Sequence, residues 1–149
     1  MTDTVSDLKR KKIETIKESA SVQEAANKMK EKNVSSLIVV DKNDRLLGLI
    51  TERDLVRKVC IRDIYTSKVI NKEIMSSPLI TVKSKSLSSE AVDIMLQNNV
   101  RHLLVIDDKS SEDVNKPIGM ITPLDFTRHQ EHVANEDREA IEKMLEYYI

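Results

Sequence analysis

The chain has 149 residues, with 24 Lys plus Arg against 25 Asp plus Glu and a formal charge of −1. That balance removes any global attraction to nucleic acid or to an anionic membrane, so an anion site has to be local. No apolar run approaches the roughly 20 residues of a membrane span, Met1 to Lys12 lacks the apolar centre of a secretory signal, and the lone Cys60 excludes an intramolecular disulfide. The expectation is a soluble, cytoplasmic protein with no membrane contact, in which Cys60 packs on an apolar helix face. A unit of about 60 residues folding alone buries only about 60% of its unfolded surface, so two such units are expected to share a core as one module.

In chain order, Met1 to Lys11 is polar and charged with only Val5 and Leu8 to bury, which makes it a frayed terminus or a short lead-in helix. Lys12 to Ile16 reads as a short strand. Ser21-Val22-Gln23-Glu24 is a capping box, and Val22, Ala25, Ala26 and Met29 follow at helical spacing up to about Asn33. Leu37 to Val40 and Leu46 to Ile50 are continuous apolar strands around the turn residues Asp41 to Arg45, a β-hairpin. From Glu52 a helix carries Leu55, Val56 and Val59 as an apolar stripe above Arg53, Arg57 and Lys58. Arg62 to Asn71 shows no sustained period, and Lys72 to Ser76 makes one turn before Pro78.

The pattern then begins again. At an offset of 66, residues 13–41 match residues 79–107 at 10 of 29 positions, among them Glu24/Glu90, Met29/Met95, Asn33/Asn99, Val39/Val105 and Asp41/Asp107. The offset grows to 71 at Gly48/Gly119, which makes the second hairpin loop, Asp108 to Pro117, five residues longer. Each copy closes on Gly-h-x-Thr-x-x-Asp, where h is apolar: Gly48, Thr51 and Asp54, then Gly119, Thr122 and Asp125. The threonine and aspartate fall where a strand turns into a helix. Thr-x-x-Asp there is a capping box for the helix's first N–H groups, and equally a site for a ligand's hydroxyls, since an ionised Asp accepts from two adjacent hydroxyls such as a ribose diol. The tail from His129 to Ile149 carries Asn135 as a helix cap and Ala140, Ile141, Met144, Leu145 and Tyr148 on one helical face, which needs a partner surface.

A tandem of strand-helix-strand-strand-helix units closing on this motif resembles the cystathionine β-synthase (CBS) domain pair, or Bateman module, over residues from about 10 to 130. The resemblance implies an α/β fold, of α+β type, with a small three-stranded sheet flanked by helices in each repeat, a pseudo-two-fold axis between the repeats and a C-terminal helix. Its boundaries are 8–62, 72–131 and a tail at 132–149. It also implies a non-catalytic sensor that needs no cofactor, binds AMP, ADP, ATP or S-adenosylmethionine in clefts between the repeats, forms a homodimer and signals to an unnamed protein partner. The alternative is a structural or nucleic-acid-associated adaptor without the ligand.

Carried over by position, Thr51 and Asp54 face a base slot of Pro78, Leu79, Ile80 and Val100, with Arg101 and His102 placed for phosphate. The second cleft, on Thr122 and Asp125, has Lys12, Ile13 and Glu14 along the base and Ser35 and Ser36 for phosphate. Glu14 departs from the family pattern, because a carboxylate in a purine slot is costly unless paired. Two other signals weigh less. His129 and His132 have the i, i+3 spacing of metal ligands, which a solvated tail explains as well. The basic run Lys9 to Lys12 lacks aromatic stacking partners, with one Phe, three Tyr and no Trp in the chain. No Gly-rich phosphate loop and no paired nucleophile and base is present, since Gly48 and Gly119 are the only glycines.

Overall fold

The computed structural model describes residues 3–9, 12–108, 116–127, 139 and 142–144. Its elements are α1 (Val5–Leu8), β1 (Thr15–Lys17), α2 (Val22–Lys32), β2 (Ser36–Val40), β3 (Leu46–Thr51), α3 (Glu52–Lys58), α4 (Asn71–Ile74), β4 (Thr81–Lys83), α5 (Ser88–Asn98), β5 (Leu103–Ile106), β6 (Pro117–Ile121) and α6 (Pro123–Thr127), with 3-10 turns at Cys60–Arg62 and Thr66–Lys68. The strands form two three-stranded sheets, β1-β2-β3 and β4-β5-β6. In each, the first strand pairs parallel and the third antiparallel with the middle one. The expected mixed α/β architecture is present, with strand, helix, strand, strand, helix in both repeats. β1 begins later than its sequence pattern, at Thr15, where pairing with Ile38 sets the register.

Local chemistry explains why the repeats share residues. Ser21 and Glu24 exchange hydrogen bonds of 3.1 and 3.0 Å at the start of α2, and Val22, Ala25 and Met29 turn one face into the core. The helix stops at Asn33, whose φ of 53° is left-handed, and α5 stops at Asn99 with φ 52°. Asn tolerates that region better than most residues, and the turn lets the next N–H, of Val34 or Val100, reach back 3.0 Å to Met29 or Met95. The middle strands β2 and β5 are buried at every position, so a continuous apolar run is what a strand covered on both faces requires.

By contact the chain divides into residues 13–79 and residues 1–12 with 80–149. This division differs from the order of the repeats. α1 precedes β1 in sequence yet packs with β4, α5 and β5: Val5 N–H donates to Ser86 O at 2.8 Å, Ser6 N–H to Ser84 O at 2.8 Å, and Ser88 N–H to Asp3 O at 3.1 Å. Val5 and Leu8 are buried in that core at 0% and 4% exposure. α4 precedes β4 and does the same for the first sheet, with Val22 N–H donating to Val69 O at 2.8 Å and Asn71 N–H to Ala20 O at 3.0 Å. The bridges Thr4↔Leu87 and Ser21↔Ile70 are related by the same offset of 66. Each sheet is therefore completed by the lead-in helix that the sequence attaches to the other repeat. The N-terminal segment is a lead-in helix, and burying its Val and Leu contributes about 1.5–3 kcal/mol each.

Two expectations need correction. No residue of α3 is fully buried: Leu55 is partly buried and Val59, just past its end, is at 1%, while Val56 is 56% exposed, because neighbouring positions of a helix point about 100° apart. Cys60 is exposed, since α3 ends at Lys58 and the thiol leaves on a 3-10 turn. Met144, on the tail face expected to need a partner surface, is fully buried in one core with Val5, Leu8 and Phe126. Asn135, Ala140, Ile141, Leu145, Tyr148, His129, His132 and the loop at 109–115 lie outside the described residues.

Gly48 has a specific packing reason. Leu49 and Ser76 exchange backbone hydrogen bonds of 2.9 and 2.8 Å along the outer edge of β3. A Cβ at Gly48 would stand 2.6 Å from Ser76 O and 3.0 Å from Met75 Sδ. Gly48→Ala is expected to lower stability by about 1–3 kcal/mol; an unchanged urea midpoint would show that Ser76 yields without cost.

The β2–β3 turn makes a second prediction. Asp41 Oδ1 accepts from the N–H groups of Asn43 and Arg45 at 2.8 and 2.9 Å. The Arg45 N–H in particular holds the Asp41 carboxyl below its ordinary value of 3.8, against a smaller opposing effect of burial. A depressed carboxyl stabilises the fold above its unfolded value and loses that contribution as pH falls through the folded one. The wild type is expected to melt above Asp41→Asn by a constant margin from pH 5 to 7, a margin that shrinks below pH 3.8. Thermal melts across pH check it.

Candidate functional site

Both Thr-x-x-Asp corners stand at corresponding ends of the two sheets. Thr51 is the last residue of β3 and pairs with Ser36, the first of β2, and Glu52 N–H donates to Ser35 O at 3.0 Å as α3 begins. Thr51 Oγ1 accepts from Asp54 N–H at 3.2 Å. In return Asp54 Oδ2 accepts from the Thr51 N–H at 3.0 Å and the Thr51 hydroxyl at 3.1 Å. The capping role is thus realised at this corner, and it fixes the carboxylate while occupying one of its oxygens.

The other oxygen has a partner that the sequence reading assigned to the charged face of the helix. Lys58 Nζ lies 3.2 Å from Asp54 Oδ1, donates to Ile74 O at 2.9 Å and reaches Ser76 Oγ at 3.5 Å. The i, i+4 spacing of Asp54 and Lys58 is a readable signal for the ion pair. Nothing in the sequence marks the two contacts beyond it. The Asp54 side chain is 13% exposed.

At the second corner Thr122 N–H and hydroxyl donate to Asp125 Oδ2 at 2.8 and 3.1 Å. Asp125 is 1% exposed, beside the fully buried Phe126. Two matching motifs therefore give unequal access. In the same unit, β4 and β5 start side by side, with Leu104 N–H on Ile80 O at 2.9 Å, and Leu103 pairs with Ile121. Ile80, Val100, Arg101, His102 and Thr122 accordingly gather at one end of that sheet. Ile80 and Val100 are partly buried against its core; Arg101 and His102 are half-buried between α5 and β5. In the unit of residues 13–79 the corresponding end holds Glu14, Ser35, Ser36 and Thr51, with Ile38 N–H on Glu14 O at 2.9 Å. Pro78 is exposed and Leu79 half-buried at the end of that unit.

A groove of about 520 Å³ between β1 and α2, lined by Lys17, Lys28, Lys32, Glu24 and Glu31 among others, contains none of the expected site residues. Its charges are mixed and Lys28 donates to Thr15 O. Among the described residues no group of three His, Cys, Asp or Glu side chains is placed to hold a metal, and no helix is long and apolar enough to cross a membrane.

The model of the CBS domain matches residues 5–60 and again 72–132. An uncharacterised protein of Methanopyrus kandleri is 32% identical over 143 residues, covering 96% of this chain and 70% of its own. The inosine-5'-monophosphate dehydrogenase of Methanocaldococcus jannaschii is 34% identical over 122 residues, which are 82% of this chain and 22% of that enzyme. Among solved structures, a conserved CBS domain protein of Thermoplasma acidophilum superposes with a TM-score of 0.78 at 21% identity, over 98% of this chain and 78% of its own, a likeness of fold. Two domain matches and two sheets of the same build, each closing on a capped Thr-x-x-Asp corner, lead to one conclusion: the chain belongs to the CBS-domain family and carries a tandem pair of the domain.

Proposed function

We propose that this CBS pair is a non-catalytic regulatory module that binds an adenosine-containing ligand, AMP, ADP, ATP or S-adenosylmethionine, and signals to a protein partner. The observation that carries the reading is the Asp54 carboxylate, oriented by two hydrogen bonds from Thr51 and left partly open to solvent. A carboxylate already held in one orientation meets a ribose diol with little further ordering, and each charge-assisted hydrogen bond is worth about 1.5–3 kcal/mol. In this reading Pro78, Leu79, Ile80 and Val100 supply the base slot, and Arg101 and His102 the phosphate contacts. The guanidinium fork suits phosphate oxygens.

The site on Thr122 and Asp125 is the weaker one. Its carboxylate is nearly closed off, its base slot carries Glu14, and Ser35 and Ser36 stand where the other site has Arg101 and His102. One cation at about 4 Å in an effective dielectric near 20 is worth about 4 kcal/mol before desolvation. Hydroxyls do not replace that.

Thermal melts with AMP, ADP, ATP, S-adenosylmethionine and a short RNA test the reading. A ligand of the native state raises the midpoint, by about 2.7 kcal/mol of stability at a hundred times its Kd. Calorimetry on variants then assigns the site: Asp54→Ala and Arg101→Ala are each expected to weaken binding at least tenfold, about 1.4 kcal/mol, and Asp125→Ala much less. Arg101→Ala matters because it leaves both caps intact. Equal losses from Asp54→Ala and Asp125→Ala would show the sites misassigned, and a shift with RNA alone would favour the adaptor.

The module is also proposed to be a homodimer. Val56, Ile61, Ile64 and Tyr65 are 56%, 73%, 40% and 74% exposed within one stretch of ten residues, an apolar surface of the kind that marks an interface. With Met144 buried in its own core, this stretch is the candidate interface among the described residues. Light scattering is expected to give twice 17.0 kDa, and Ile61→Glu to return the protein to monomer. A wild type at 17.0 kDa at micromolar concentration would refute the dimer.

A further inference from the structure

We infer that Lys58 is a positioning residue that couples the Asp54 carboxylate to the crossover segment Ile74–Ser76, so that a ligand seated on Asp54 is read out as tightening of that segment. The inference rests on the proposed ligand role of Asp54. The Lys58 ammonium joins three groups: it forms an ion pair with Asp54 Oδ1 on its own helix at 3.2 Å, donates to Ile74 O at the end of α4 at 2.9 Å, and donates to Ser76 Oγ at 3.5 Å. Ile74 O is one of the carbonyls that a helix end leaves without an intrahelical donor, and the Ile74 side chain is anchored in the core at 4% exposure.

These contacts close a ring. Ser76 is bonded in both directions to Leu49 at 2.8 and 2.9 Å and presses on Gly48 where no Cβ fits. Leu49 lies in β3, two residues before Thr51, and Thr51 holds the second oxygen of Asp54. A hydroxyl ligand approaching Asp54 shares the carboxylate with Lys58, and any change in that ion pair reaches Ile74 and Ser76 through one side chain. The crossover from Ile74 then runs into Pro78 and Leu79, the proposed start of the base slot. Lys58, Asp54 and the crossover are within one unit, residues 13–79. In the second repeat the residue at the position of Lys58, the fourth after Asp125, is His129.

The test compares wild type, Lys58→Met, which keeps the stem and removes the donors, and Lys58→Arg, by calorimetry with AMP and by amide hydrogen exchange. Exchange of the β2 amides, expected to be the same in all three, serves as the folding control. In the wild type, AMP is expected to slow exchange at Leu49 and Ser76 by about tenfold. In Lys58→Met, AMP is expected to bind about tenfold more weakly and, at saturation, to leave those two amides unslowed, with Lys58→Arg restoring part of both effects. Equal slowing in saturated Lys58→Met overturns the coupling. Absence of AMP binding by the wild type overturns instead the ligand reading on which it rests. The positioning role is then decided without ligand: faster exchange at Leu49 and Ser76 in Lys58→Met supports it, and rates equal to wild type overturn it.

Discussion

Neither three-stranded sheet of this protein closes its own core. The first strand of each sheet is three residues long, and the loop that leads from it into the long helix leaves backbone donors at 22 and 88 with nothing in the same repeat to meet them. A lead-in segment from elsewhere in the chain, the short helix and the residues just before it, supplies the carbonyls and two apolar side chains, Val5 and Leu8 in one core, Ile74 with Val69 in the other. Because buried N–H groups without partners are costly, this reciprocal exchange is a condition of folding rather than an ornament of it. It also links the stability of each sheet to a segment that the sequence attaches to the other repeat.

The same economy of groups governs the corners. A helix that starts directly from a strand needs acceptors for its first N–H groups, and Thr-x-x-Asp provides them while leaving a carboxylate fixed in one orientation. Capping and ligand binding are therefore not rival explanations of the motif. The cap is what makes the carboxylate a preorganised acceptor, and what distinguishes the corners is access: Asp54 keeps solvent contact, whereas Asp125 is closed beside Phe126.

Exchange and cap meet at the crossover Ile74–Ser76. The segment finishes the lead-in helix of one core, covers the outer edge of β3, and receives Lys58 from the corner helix. An exposed strand edge is a liability, and the short bridge between Leu49 and Ser76 protects it at the price of excluding every side chain at residue 48. Gly48 in the motif thus answers to packing, while Thr51 and Asp54 answer to the turn.

The sequence by itself determined the repeat, the order and type of the strands and long helices, the asparagine stops at 33 and 99, and the identity of the corner residues. All of these follow from short-range chemistry: periodicity, capping and left-handed turns are written within a few residues of where they act. The tertiary structure alone decided that α1 and α4 exchange cores, that Val56 and Cys60 face outward, that Met144 is buried, that Asp125 is closed while Asp54 is open, and that Lys58 reaches Ile74 and Ser76. Each of those depends on which surface a residue meets after the chain has returned across tens of positions, and a helix of four to seven residues carries too little periodicity to state in advance which of its faces will be covered.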